Sequence, residues 1–150
     1  MDYSIYDERL KRVAAGLDRM GADLWMVVTS ESSDPCLPVA MGVHTVGAGV
    51  FMVSRTGERY VLCTPIDAQD IEASGLFPTV IKYGAGLGPA LSELVERLAP
   101  ARIALNVSEK DSFCDGLTEG RRRWLAKTLA PVFRGEYFSS ESFLAELRRS

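Results

Sequence analysis

Leu24-Trp25-Met26-Val27-Val28 is an unbroken apolar run, of a length that suits a strand covered on both faces. Two β-prone runs follow it, Val50 to Ser54 and Tyr60 to Cys63. The polar residues between them, Arg55-Thr56-Gly57-Glu58-Arg59, read as the turn of a hairpin. A buried strand followed by a hairpin commits the chain to a sheet with an antiparallel part, and the flanking segments decide what covers it.

Upstream, Tyr6, Leu10, Val13, Leu17 and Met20 recur at alternating steps of four and three, an amphipathic helix that Gly21 can close. Ser4 and Asp7 are placed to start it as a capping box. Downstream, Asp67 to Ala73 reads as a short helix stopped by Gly75, and Thr79 to Tyr83 as a strand. Leu91, Leu94, Val95 and Leu98 share one helical face, with Pro89 in the first turn and Pro100 at the stop. A strand from Ile103 to Val107 comes next, then a helix through Leu117, Trp124, Leu125 and Leu129. A short strand from Val132 to Phe138 leads to a last helix capped by Ser139 or Ser140 and using Phe143, Leu144 and Leu147. This alternation predicts an α/β fold, a mixed sheet with helices on both faces.

With 150 residues, 47% of them apolar, one domain over 1–150 is the expectation. A net charge of −3 with interleaved signs argues against nucleic acid as a partner. The one dense basic stretch, Arg121-Arg122-Arg123, has Glu119 beside it and reads as a solvated helix face. No segment has the length of a membrane span or the order of a secretory signal, so a soluble cytoplasmic protein with no membrane partner is expected. The cysteines, Cys36, Cys63 and Cys114, are odd in number and widely spaced, which favours buried reduced thiols over a disulfide framework.

Candidate chemistry is sparse. A zinc site needs several converging ligands, and His44 is the single histidine, with no cysteine at ligand spacing. Gly84-Ala85-Gly86-Leu87-Gly88 follows a strand and opens a helix, as a dinucleotide fingerprint does. Its spacing is G-x-G-x-G, Pro89 removes a donor, and the next strand ends in Asn106 rather than an acid. It supports an alternative reading as a free-standing small-molecule or nucleotide-binding module. Glu109, Asp111, Asp115 and Glu119 lack the calcium-loop pattern, and Asp115-Gly116 reads as a turn before a helix capped by Thr118 or Asp115. Trp25 and Trp124 read as core.

Four segments nevertheless form a recognisable order: Glu31-Ser32-Ser33-Asp34-Pro35, Gly42-Val43-His44-Thr45-Val46-Gly47, Arg102-Ile103-Ala104-Leu105-Asn106 with Ser108-Glu109, and Asp115-Gly116-Leu117-Thr118. Together they resemble the amino-terminal domain of the creatinase and Xaa-Pro aminopeptidase/prolidase family of metallopeptidases. The resemblance implies a ribonuclease H-like α/β domain. In that family it precedes a catalytic domain of the pita-bread fold, which is expected to be absent from these 150 residues, and Leu147-Arg148-Arg149-Ser150 resembles the passage into it. The catalytic domain is where two divalent metal ions are expected; this chain is expected to hold no cofactor, metal or catalytic residue of its own. The resemblance implies a non-catalytic role in dimerisation and in covering the active site of a second subunit, with the chain's own catalytic domain and that subunit as partners. Asp34, Pro35 and His44 are the candidate substrate-gating residues.

Overall fold

The structure, a computed structural model, describes residues 2–149; Ser150, the end of the stretch read as a passage to a second domain, lies outside them. Helix α1 (Ser4–Met20) leads to β1 (Leu24–Ser30), a short α2 (Leu37–Ala40), the hairpin β2 (Ala48–Ser54) and β3 (Arg59–Cys63), α3 (Pro65–Ser74) and β4 (Thr79–Lys82). Then come α4 (Leu87–Leu98), β5 (Arg102–Leu105), α5 (Glu119–Leu129), β6 (Glu136–Ser139) and α6 (Glu141–Leu144), with single 3₁₀ segments at Ser112–Cys114 and Ala145–Arg149.

The sheet order is β4-β3-β2-β1-β5-β6. Its centre is antiparallel, Met26 facing Met52 across β1/β2 and Phe51 facing Val61 across β2/β3. β5 lies parallel on β1, β6 parallel on β5, and β4 parallel on β3 at the other edge. This is the mixed sheet expected, and β1 at its middle is the apolar run of residues 24–28.

Because side chains alternate across a strand, β1 divides its residues between two cores. Trp25 and Val27 join Phe51, Val61 and Cys63 under α1, α2, α3 and α6, through Leu10, Leu17, Leu37, Ile71 and Phe143. Met26 and Val28 join Val50, Met52, Leu62 and Ile103 under α4 and α5, through Leu91, Val95, Leu125 and Leu129. Helices thus cover both faces, and each fully buried aliphatic side chain contributes roughly 1.5–3 kcal/mol.

Several local expectations shift. Ser4 is not a capping residue: Tyr3 precedes α1, and the Asp2 carboxylate accepts the Ser4 N–H at 2.9 Å. Thr118 caps α5 as read, accepting from the Arg121 N–H. The segment 132–138 is strand only from Glu136, because the Val132 and Phe133 N–H groups bond back to Leu129 O and prolong the end of α5. β5 stops at Leu105, since the Asn106 carbonyl turns to accept the Leu117 N–H at 3.0 Å. Trp25 is core, whereas Trp124 is only half-buried.

Candidate functional site

The loops after β1 and before β2 carry all three sequence-level candidates. They are stitched together. The Ser32 N–H donates to Thr45 Oγ1 at 3.1 Å, the Thr45 N–H to Ser32 Oγ at 2.8 Å, and Ser32 Oγ to the Thr45 carbonyl at 3.2 Å. This pairing brings the Pro35 loop beside the His44 loop. It is built on strained backbone, with Glu31 and Ser32 at φ 53° and 54°, a conformation costing on the order of 1 kcal/mol each for non-glycine residues.

Asp34 and His44 occupy opposite environments there. Asp34 is 1% exposed. Its Oδ1 accepts the Cys36 N–H at 2.9 Å, its Oδ2 accepts from Asn106 Nδ2 at 2.9 Å, and its own N–H reaches Thr29 Oγ1 at 3.3 Å. Asn106 in turn accepts from Trp25 Nε1 at 2.8 Å and Ser140 Oγ at 2.6 Å, and its Nδ2 also lies 3.3 Å from Cys36 Sγ. The Asp34 carboxylate is therefore occupied by a buried network that ties the 31–35 loop to β1, β5 and the start of α6. Pro35 and His44 are exposed and remain available to a neighbour.

Asp67, which sequence reasoning treated only as a helix residue, fixes the other side of the His44 loop. Its carboxylate accepts the Val46 N–H at 2.8 Å and the Gly47 N–H at 3.0 Å, while Thr64 caps α3 through the Asp67 N–H at 3.2 Å. Gly42 and Gly47 fit this close packing for definite reasons. Gly42 has φ 63° and a Cβ there would meet the Tyr6 ring at 2.5 Å; a Cβ at Gly47 would meet Thr64 Cγ2 at 2.6 Å. The clamp turns Val46 outward, 73% exposed, beside α3, where Ile66 is 79% exposed. A shallow pocket next to it is lined by Tyr3, Val43, His44 and Asp70.

The remaining candidates are separated. The three thiols are buried and free, and burial pushes Cys63 up to about 11, Cys114 up to about 12 and Cys36 well above its ordinary value. Among the described residues no group of three or more His, Cys, Asp or Glu could hold a metal ion, and no helix is long and apolar enough to cross a membrane. Asp111 accepts the Phe113 N–H and pairs with Arg148 at 2.8 Å, Asp115 accepts the Ser108 N–H, and Glu119 pairs with Arg122 at 2.8 Å. Gly86 precedes α4 with φ 136°, and Leu87 and Gly88 border a cleft with Trp124 and Arg121, whose guanidinium donates to Ser30 Oγ.

No protein-family model and no curated protein matches the sequence. Solved structures do match. The creatinase/prolidase N-terminal domain of an X-Pro dipeptidase from Streptococcus pyogenes superposes with a TM-score of 0.71 at 13% identity, over 93% of this chain and 98% of that one. The chain has the creatinase/prolidase amino-terminal fold. The same fold lies within larger proteins: an X-Pro aminopeptidase from Thermotoga maritima gives TM-score 0.72 at 14% identity, over 93% of this chain and 35% of that one. An Xaa-Pro dipeptidase from Bacillus anthracis gives 0.68 at 15%, over 95% and 36%. This chain thus spans about a third of those peptidases and nearly all of the isolated creatinase/prolidase domain.

Proposed function

We propose that this chain is a non-catalytic accessory domain of a cytoplasmic Xaa-Pro peptidase-type metallohydrolase, contributing to dimerisation and to covering the active site of a partner subunit. The observation that carries the reading is the stitched double loop. The Ser32–Thr45 pairing and the Asp67 clamp tether the backbone next to His44, and the His44 and Val46 side chains are exposed. Ile66 extends the exposed apolar surface. Such preorganisation lowers the ordering cost of a contact, which suits a surface that meets another protein and its bound peptide.

In this reading the two divalent metal ions and the hydrolytic step belong to a separate catalytic domain, and this chain supplies shape and access control. His44 is the gating residue, Pro35 borders it, and Asp34 acts from inside by holding the loop in place. The test uses the protein that contains this chain together with its catalytic domain. His44→Ala and Val46→Asp are expected to lower kcat/KM for an Xaa-Pro dipeptide at unchanged metal content, with Val46→Asp also weakening the dimer. Unchanged turnover and mass in both variants would contradict the covering role.

A further inference from the structure

A second surface lies on the opposite face of the sheet, where the edge strand β6 runs beside α5. β6 ends the sheet. The Glu136 N–H bonds to Ala101 O at 3.0 Å and the Ser140 N–H to Leu105 O at 2.9 Å, so the even-numbered positions face β5. By the alternation of a strand, the N–H and C=O groups of Tyr137 and Ser139 face away from the sheet. Directly between this edge and α5 is an apolar cavity of about 210 Å³, lined by Leu105, Val107, Leu125, Ala126 and Tyr137, with Arg122 at its edge. Tyr137 is one of the few large apolar side chains left exposed, at 37%.

The stretch of chain that forms α5 and leads into β6 is opposite in charge to the whole molecule. The chain carries −3, yet residues 119–136 hold five cations and two carboxylates. Arg122, which lines the cavity, is exposed, as are Arg123, Lys127 and Arg134 in the same stretch of chain. Both carboxylates are engaged, Glu119 by Arg122 and Arg123 and Glu136 by Arg102. These are exposed surface pairs, each contributing little.

We propose that the β6–α5 groove binds an extended acidic peptide segment, which adds as a strand to the outer edge of β6 and places one aliphatic or aromatic side chain in the cavity. Two features of strand addition coincide, open backbone groups for main-chain bonds and a pocket for a side chain, and Arg122 at the cavity within a basic helix favours an acidic segment. The site is independent of the His44 loop and of the peptidase reading.

The test is amide NMR of the intact chain, titrated to millimolar concentration with a synthetic peptide pool. Glutamates flank a central position filled in turn by each aliphatic and aromatic residue. Expected are shifts and slowed hydrogen exchange at the Tyr137 and Ser139 amides, lost when alternate peptide amides are N-methylated and at least about tenfold weaker for a lysine-flanked pool. Ala126→Trp, at an exposed helix position, should block the cavity, and the double variant Arg122→Glu/Arg123→Glu should reverse the charge preference while both keep native spectra. Absence of shifts at these amides, equal binding of the lysine pool, or binding indifferent to Ala126→Trp would overturn the proposal.

Discussion

Asn106 donates its side-chain N–H to the carboxylate of Asp34 at 2.9 Å, in a site where both residues are 1% exposed. The pair joins the end of β5 to the loop after β1, and the other oxygen of that carboxylate accepts the Cys36 N–H at 2.9 Å. Asn106→Asp replaces the donor by a second acceptor. The expected cost is about 3–5 kcal/mol near neutral pH, the range for leaving a buried charge uncompensated. The new carboxyl should have a raised folded-state pKa, so the penalty applies above that pKa and is relieved as pH falls through it, when the protonated group can donate. Urea unfolding of the variant against pH checks the size and sign together.

Gly116 lies against the same carboxylate: a Cβ there would overlap Asp34 Cγ and Oδ2. Gly116→Ala is therefore expected to destabilise by roughly 1–3 kcal/mol, as overpacking does. Gly120→Ala, in α5 with open space around its Cβ, should instead stabilise by about 0.5–1 kcal/mol. Thermal unfolding of the two single variants distinguishes these opposite signs.

The thiols should be silent in the native state. Cys36, Cys63 and Cys114 are fully buried and their ionisation is suppressed by burial, to about 11 for Cys63 and about 12 for Cys114. Reaction with a thiol reagent at mildly alkaline pH should follow the rate of unfolding. Because the unfolded chain loses thiol protons around 9.0 while the folded chain keeps them, stability should fall as pH rises above that value. Rapid modification of folded protein would contradict the burial.

Asp67→Ala removes the acceptor for two backbone N–H groups of the His44 loop. Faster hydrogen exchange is expected at Val46 and Gly47, with exchange in the β1/β2 core unchanged apart from any global loss of about 1–2 kcal/mol. Asp67→Asn should retain part of the protection. Unaltered exchange at both amides in Asp67→Ala would mean that the loop holds its shape without the clamp.

What was legible in the sequence follows from periodicity. The 3.6-residue spacing of α1, the apolar run of β1 and the hairpin could be read because burial repeats along the chain. Thr118 could be read as a cap because its partner is three residues away. The Asp34–Asn106–Trp25–Ser140 network could not be read, since its members come from separate segments: Trp25 reads as core, and the three polar residues each alone resemble a loop, strand-end or helix-cap residue. Asn106 counted as the place of an acid missing from a nucleotide motif and as the end of a resembling segment, with no partner assigned. Asp67 was hidden in the same way: its first-turn position explains the helix, while its bonds to Val46 and Gly47 depend on a chain approach that spacing does not encode. Strand order was equally beyond reach, because alternation of helices and strands leaves open which edge β4 and β6 occupy.

The central claim is that this chain serves a catalytic domain rather than acting alone, and the coding sequence that follows residue 150 tests it most directly. The account predicts an open frame continuing into a domain with the aspartate, histidine and glutamate ligands of a two-metal site. A stop codon immediately after residue 150 would contradict it.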